Sequence, residues 1–180
     1  MMRKWLTVVV LAAACAYTGF LVQRQVFQSL AMKASSAVGD QPGDTAPNFR
    51  LMSIRGTPIA LSDWRGRGVW INFWATWCPY CRQELAVLEQ EQRIYGRRVA
   101  ILGVDLEEPR GVVQRFVNRQ HLTYPVVLDS QGAVAAEYGV TKLPTSVFIT
   151  PTGVVSAVVV GTIPDVTTAN GYLGGILPAR

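Results

Sequence analysis

From residue 48 onward the chain alternates short apolar runs with stretches whose apolar residues recur at helical spacing, and this alternation limits the fold more than any other feature. Residues 68–74 (GVWINFW) are almost continuously apolar, the pattern of a central strand covered on both faces. Residues 99–105 (VAILGVD) repeat it. Between them a helix is predicted from Pro79 to Tyr95, with Pro79 suited to its first turn and Leu85, Leu88 and Tyr95 on one face. A second helix is predicted from Pro109 to Gln120, where Val112, Val113, Phe116 and Val117 recur at helical spacing. Residues 125–129 read as a short strand and 132–138 as a short helix ended by Gly139. Two hairpins flank this core, 49–54 with 57–61 and 145–149 with 154–160. A last helix starts after Asp165, weakened by Gly171, Gly174 and Gly175. Strands alternating with helices imply an α/β fold, a mixed central sheet with helices on both faces, opened by an N-terminal β-hairpin.

Ahead of this region, residues 5–22 carry no charge. As a helix they would span roughly 27 Å, close to the hydrocarbon core of a bilayer. Arg3 and Lys4 precede them, which favours one transmembrane helix with its N-terminus inside. A cleavable signal ending at Ala12-Ala13-Ala14 and a lipid-modified Cys15 are the competing readings, but the apolar run continues through Val22. All three put the rest of the chain outside the cytoplasm. The organisation expected is an anchor over 1–22, a Ser-, Gly-, Asp- and Pro-containing tether over 23–43, and a folded domain over 44–180.

The formal charge of +5 raises a nucleic-acid partner, and its distribution argues against one. Arg3, Lys4, Arg24 and Lys33 supply +4 of it, all before residue 37, where no acid occurs. Arg93, Arg97 and Arg98 lie close to Glu89 and Glu91 and read as a solvated helix face. No zinc-finger, RNP or basic-helix pattern accompanies them.

The chemistry is expected at Trp77-Cys78-Pro79-Tyr80-Cys81. A structural zinc site needs four ligands, and two cysteines with the lone His121 do not supply them. A purely structural disulfide would close a loop too short to stabilise much. A redox pair fits better. Cys78 stands where a buried strand turns into a helix, and free N–H groups and the helix dipole there favour a thiolate. Cys81 lies one turn further along the same face, more buried and less acidic. Cys78 is then the attacking sulfur and Cys81 the resolving one.

Residues 73–81 (FWATWCPYC) resemble the active site of the thioredoxin superfamily, and Leu143-Pro144-Thr145 before an apolar strand resembles its cis-proline loop. Ala46-Pro47-Asn48-Phe49, the hairpin ending in Leu61-Ser62, Gly66 and residues 125–129 (PVVLD) narrow the resemblance to the ResA/TlpA-like group, over residues 44–178. That group consists of membrane-anchored, extracytoplasmic thiol–disulfide oxidoreductases of bacteria. The resemblance implies a thioredoxin-like fold, a single membrane pass and a catalytic domain outside. It implies a reductant of disulfides in partner proteins such as apocytochrome c, recharged by a membrane electron carrier of the CcdA/DsbD type, with no metal or other cofactor. It implies a cis bond before Pro144, pairing of the Leu143 backbone with an extended substrate, and substrate contacts at Trp77, Pro79 and Tyr80. It also implies that Glu84, three residues after Cys81, tunes the thiols and relays a proton, with Glu108 a second acid near the site.

Two departures bear on direction. Asn72 stands where thioredoxin has a buried acid, and Pro79-Tyr80 has the order seen in glutaredoxins. Potentials of such pairs run from roughly −270 to −120 mV, so an oxidant or isomerase is the alternative to a reductant. A thiol peroxidase shares the APNF and LSDWRG patterns but needs a Thr three residues before its cysteine, and Thr76 is two before Cys78. A non-enzymatic binding module would not need the intact cysteine pair.

Overall fold

The computed structural model describes residues 39–178. The anchor read over 1–22 and the tether up to residue 38 lie outside the described residues. Strands β1 (Arg50–Ser53) and β2 (Pro58–Ala60) form the first hairpin. Then follow β3 (Gly68–Trp74), α1 (Pro79–Tyr95), β4 (Val99–Leu106), α2 (Arg110–Gln120), β5 (Val126–Asp129) and α3 (Ala133–Glu137). The chain closes with β6 (Thr145–Ile149), β7 (Val155–Val160) and α4 (Val166–Leu173). One sheet holds all seven strands in the order β2-β1-β5-β4-β3-β6-β7. Strands β3, β4 and β5 run parallel, and the other pairings are antiparallel.

The sheet is covered on both faces, as the apolar runs require. Trp70, Trp74, Ile101 and Phe148 pack on one face with Leu85 and Leu88 of α1, Phe116 of α2 and Leu173 of α4. Ile71, Phe73, Leu102, Val104 and Val147 pack on the other, with Val134 and Ala135 of α3. Topology accounts for the division. The steps β3-α1-β4 and β4-α2-β5 move the same way across the sheet, so right-handed crossovers put α1 and α2 on one face. The return from β5 to β6 recrosses the opposite face through α3.

Two local expectations differ from what forms. The strand read over 57–61 stops at Ala60, and Leu61–Trp64 is a 3₁₀ turn. The Asp63 carboxylate accepts the Ala60 N–H at 2.9 Å and Asn48 Oδ1 accepts the Ser62 N–H at 3.0 Å, side-chain bonds that draw the backbone out of the ladder. The arginines near the end of α1 are exposed, but neither Glu91, which is fully buried, nor Glu89 is part of a solvated face. Glu89 is buried, accepting the Thr123 N–H at 2.5 Å and the Thr123 hydroxyl at 3.0 Å, and so ties the segment before β5 to α1.

Register determines where a site can form. Trp74, the last residue of β3, pairs with Asp105 of β4, and Phe73 pairs with Thr145 at the start of β6. The β3–α1 turn, the β4–α2 turn and the segment entering β6 therefore emerge side by side, outside the carboxyl ends of the parallel strands, where α/β sheets place ligands. Among the described residues no helix is long and apolar enough to cross a membrane.

Candidate active site

At that edge, Cys78 is the N-cap residue of α1 and Pro79 its first helical residue. The Cys78 N–H donates to the Ala75 carbonyl at 3.2 Å, which closes the turn out of β3. Cys78 Sγ accepts the Cys81 N–H at 3.1 Å. The two sulfurs are bonded, at 2.23 Å, with their Cα atoms 5.3 Å apart. Both residues are buried, 3% and 1% exposed, whereas the flanking Trp77 and Tyr80 are 66% and 61% exposed. The sulfur pair thus lies just under the surface between two projecting aromatic rings. When the bond is reduced, the amides of the first turn and the dipole of a 17-residue helix act on Cys78 Sγ and favour its thiolate.

The peptide bond between Leu143 and Pro144 is cis. The Pro144 carbonyl accepts the Gly161 N–H at 2.8 Å, and the Thr145 hydroxyl donates to the Lys142 carbonyl at 2.7 Å, so the loop is tied at both ends. Between this loop and the cysteine turn runs an open groove of about 680 Å³, with Trp77, Cys78 and Tyr80 on one wall and Lys142 and Leu143 on the other. Leu106 and Glu107 line it further along.

Glu84 lies beneath, on the same helix face one turn after Cys81, and is fully buried. Asn72 Nδ2 donates to its Oε2 at 3.3 Å, the Ser146 hydroxyl donates to its Oε1 at 3.5 Å, and the Ile163 N–H also faces the carboxyl. Burial pushes the carboxyl up to about 7, and these three donors restrain it from rising further. Asn72, which replaces the strand acid of thioredoxin, is therefore the amide that solvates Glu84.

Glu108 holds the turn rather than the sulfurs. Its Oε2 accepts the Thr76 N–H at 2.5 Å and its Oε1 the Thr76 hydroxyl at 2.7 Å. The Thr76 carbonyl accepts from Arg82 Nε at 3.0 Å and Nη2 at 2.7 Å, while the Arg82 guanidinium lies over the Phe116 ring. Glu107, the other acid of the pair, adopts φ +58° and lines the groove instead.

The structure thus gathers Trp77, Cys78, Pro79, Tyr80 and Leu143 around one groove, with Cys81 bonded to Cys78, Pro144 next to Leu143, and Glu84 and Glu108 behind. Sequence reasoning missed Thr76, Arg82, Ser146 and Asp105. Ser146 had a signal, a small polar residue inside the apolar strand β6. So did Asp105, a charge closing the otherwise apolar 99–105 run. Thr76 and Arg82 had none, because their partners come from across the fold or through a turn carbonyl. Chemically the arrangement supports reversible dithiol–disulfide exchange with an extended chain.

Residues 42–158 match the model of the AhpC/TSA family. The thiol-disulfide oxidoreductase ResA of Geobacillus kaustophilus is 37% identical over 163 residues, covering 90% of this chain and 87% of ResA. The thioredoxin-like protein YneN of Bacillus subtilis is 34% identical over 166 residues, covering 91% and 93%. Among solved structures, a thiol:disulfide interchange protein of the thioredoxin family from Chlorobium tepidum superimposes with a TM-score of 0.64 at 29% identity, covering 77% of this chain and all of that one. The mixed sheet with helices on both faces is accordingly a thioredoxin-like fold.

Proposed function

The chain belongs to the AhpC/TSA family and to the ResA-like thiol–disulfide oxidoreductases within it, and from that premise we propose that it reduces disulfides of proteins outside the cytoplasm. The observation that carries the proposal is the placement of Cys78 as N-cap of α1 with Cys81 bonded to it one turn in. In the reduced protein the Cys78 thiolate attacks one sulfur of a substrate disulfide. A mixed disulfide forms and the first substrate thiolate leaves. Cys81 gives its proton to Glu84 and attacks Cys78 Sγ, which releases the second substrate thiolate. The substrate gains two electrons, and the Cys78–Cys81 disulfide is the oxidised product. Glu84 suits this part because a carboxyl titrating at about 7 both accepts and returns a proton near neutral pH.

The groove beside the cis bond is open enough for an extended peptide, which would pair with the Leu143 backbone and set apolar side chains against Trp77, Pro79 and Tyr80. Glu108 acts on the thiols through Thr76. An apocytochrome c segment with two oxidised cysteines is the substrate we assign, with a membrane thiol carrier of the CcdA/DsbD type as reductant. The uncharged 5–22 run between Arg3 and Arg24 supports a single-pass anchor on 1–22, a tether to about residue 43 and the thioredoxin-like domain beyond.

The equilibrium reduction potential of the Cys78–Cys81 pair tests the direction. A value of about −250 mV or below is expected, and one near about −120 mV would make the protein an oxidant. In the same assay Cys78→Ser is expected to abolish reduction of a disulfide-bonded apocytochrome peptide, and Cys81→Ser to accumulate the mixed disulfide.

A further inference from the structure

Asp105, a buried acid that this mechanism does not use, sits in an unusual place. It ends the apolar part of β4, fully buried, paired in register with Trp74 just before the cysteine turn. Among the described residues neither of its carboxyl oxygens has a hydrogen-bond partner, and the indole N–H of Trp74 has none either. Neighbouring packing is tight. A Cβ on Gly103, two residues earlier on the same side of β4, would lie 2.9 Å from Trp74 Nε1 and 3.1 Å from Tyr124 Cε2. A carboxylate left this way in an apolar niche is costly, and the chain keeps one where Ile or Val would fill the strand.

The charged group that acts on Asp105 is Glu108. Its carboxylate favours a proton on Asp105, while its backbone N–H opposes this. On β3 the facing residue, Trp74, does not titrate. On α1, Arg82 is committed to the Thr76 carbonyl and the Phe116 ring. Tyr124 is held protonated by its own burial. Glu108 in turn grips the N–H and hydroxyl of Thr76, two residues before Cys78. A path therefore runs from the Asp105 carboxyl, on which Glu108 acts, through the two Glu108–Thr76 bonds to the turn that carries the nucleophile.

We propose that Asp105 is a positioning residue for thiol–disulfide exchange, its carboxyl governing how firmly Glu108 holds the Thr76 turn and hence where Cys78 Sγ sits against the first turn of α1. The inference rests on the exchange reading above. With a proton, Asp105 leaves the Glu108 carboxylate free to bind Thr76. Without one, the buried Asp105 carboxylate repels the partly buried one of Glu108, the grip loosens and Cys78 loses part of its helix-end stabilisation. Burial pushes the Asp105 carboxyl up to about 8, so the change falls in the weakly alkaline range.

The test is the rate of Cys78 alkylation by iodoacetamide in the reduced full-length protein in detergent, from pH 5 to 10, for the wild type and Asp105→Asn. The wild type is expected to show the thiolate rise and then a second inflection between pH 7 and 9, changing the rate by at least about threefold. Asp105→Asn, which keeps the shape and removes the titration, is expected to show the first step alone. Superimposable profiles overturn the proposal. If the variant does not fold, the ¹³C carboxyl shift of Asp105 in labelled wild type decides, and titration below pH 5 overturns it. Disulfide exchange by the same wild-type preparation separates the two levels. An inactive wild type sinks the exchange reading, whereas an active one with an unaltered Asn profile sinks the role of Asp105 alone.

Discussion

Glu84 and Asp105 are two buried acids beneath one cysteine turn, and the fold treats them differently. Glu84 projects from α1 toward β3 and β6, where an amide and a hydroxyl meet it, and the N–H of Ile163 beyond β7 joins them. Asp105 stands at the end of β4 with only the Glu108 N–H acting on it, short of hydrogen-bond geometry, and the Glu108 carboxylate opposing it. Both lose water, and both carboxyls rise, to about 7 and about 8 from 4.5 and 3.8. The larger rise belongs to the acid with fewer donors and a second carboxylate beside it. Desolvation raises a carboxyl at either position, and the donors and charges around each decide how far. One site is thereby suited to exchanging a proton at neutral pH, and the other to holding one.

Glu84→Gln should break this contrast most. It removes the proton acceptor for Cys81, so turnover at pH 7 is expected to fall by about a hundredfold. It also alters stability with a definite sign. The folded carboxyl binds its proton more tightly than the unfolded one, so its contribution is intact below about pH 4.5 and is lost as pH rises through about 7. At pH 8 the wild type carries a cost of about 3 kcal/mol that the Gln variant lacks. Urea unfolding at pH 4.5 and pH 8 should show a shallower fall for Glu84→Gln. Equal slopes would mean that Glu84 is solvated in the folded protein and does not differ from an ordinary surface acid.

Gly103→Ala examines the other niche by packing instead of charge. The new methyl group would press on Trp74 and Tyr124 at the distances given above, and an expected loss of about 1–3 kcal/mol follows from overpacking. A melting temperature equal to that of the wild type would show that the wall around Asp105 yields, and a niche that yields admits water. The contrast with Glu84 would then be one of packing and not of donors.

The contrast also explains what was legible beforehand. The strands and helices were, because Trp70, Leu102 and Phe148 belong to apolar runs and Leu85 and Phe116 to helical repeats, and the sheet needs both faces filled. The cysteine pair was, because strand, turn, Pro79 and helix are consecutive in sequence. The acids were legible only in part. Glu84 follows Cys81 by one turn, but its partners Asn72 and Ser146 lie 12 and 62 residues away. Glu108 reaches Thr76 across 32 residues. Asp105 was only the last residue of the apolar 99–105 run, since nothing local marks its carboxyl as buried beside Trp74 and Glu108. Likewise Glu89 read as solvated because Thr123, which buries it, comes 34 residues later.

The smallest expected effect tests the link between the Asp105 niche and the nucleophile. Thr76→Val keeps the branched shape and the backbone N–H that Glu108 accepts, and removes only the hydroxyl donated at 2.7 Å. One hydrogen bond to a partly buried carboxylate is lost, so stability should drop by about 1 kcal/mol. The remaining bond to the Thr76 N–H holds the turn in register, so Cys78 alkylation should keep the two-step pH profile of the wild type. A profile that collapses to one step in Thr76→Val would place the coupling in the hydroxyl. A profile that keeps both steps, set beside a single step in Asp105→Asn, would place it in the carboxyl pair acting through the backbone. The backbone route is the one expected, because the amide bond fixes the direction of the chain into Cys78 while the hydroxyl fixes only a rotamer.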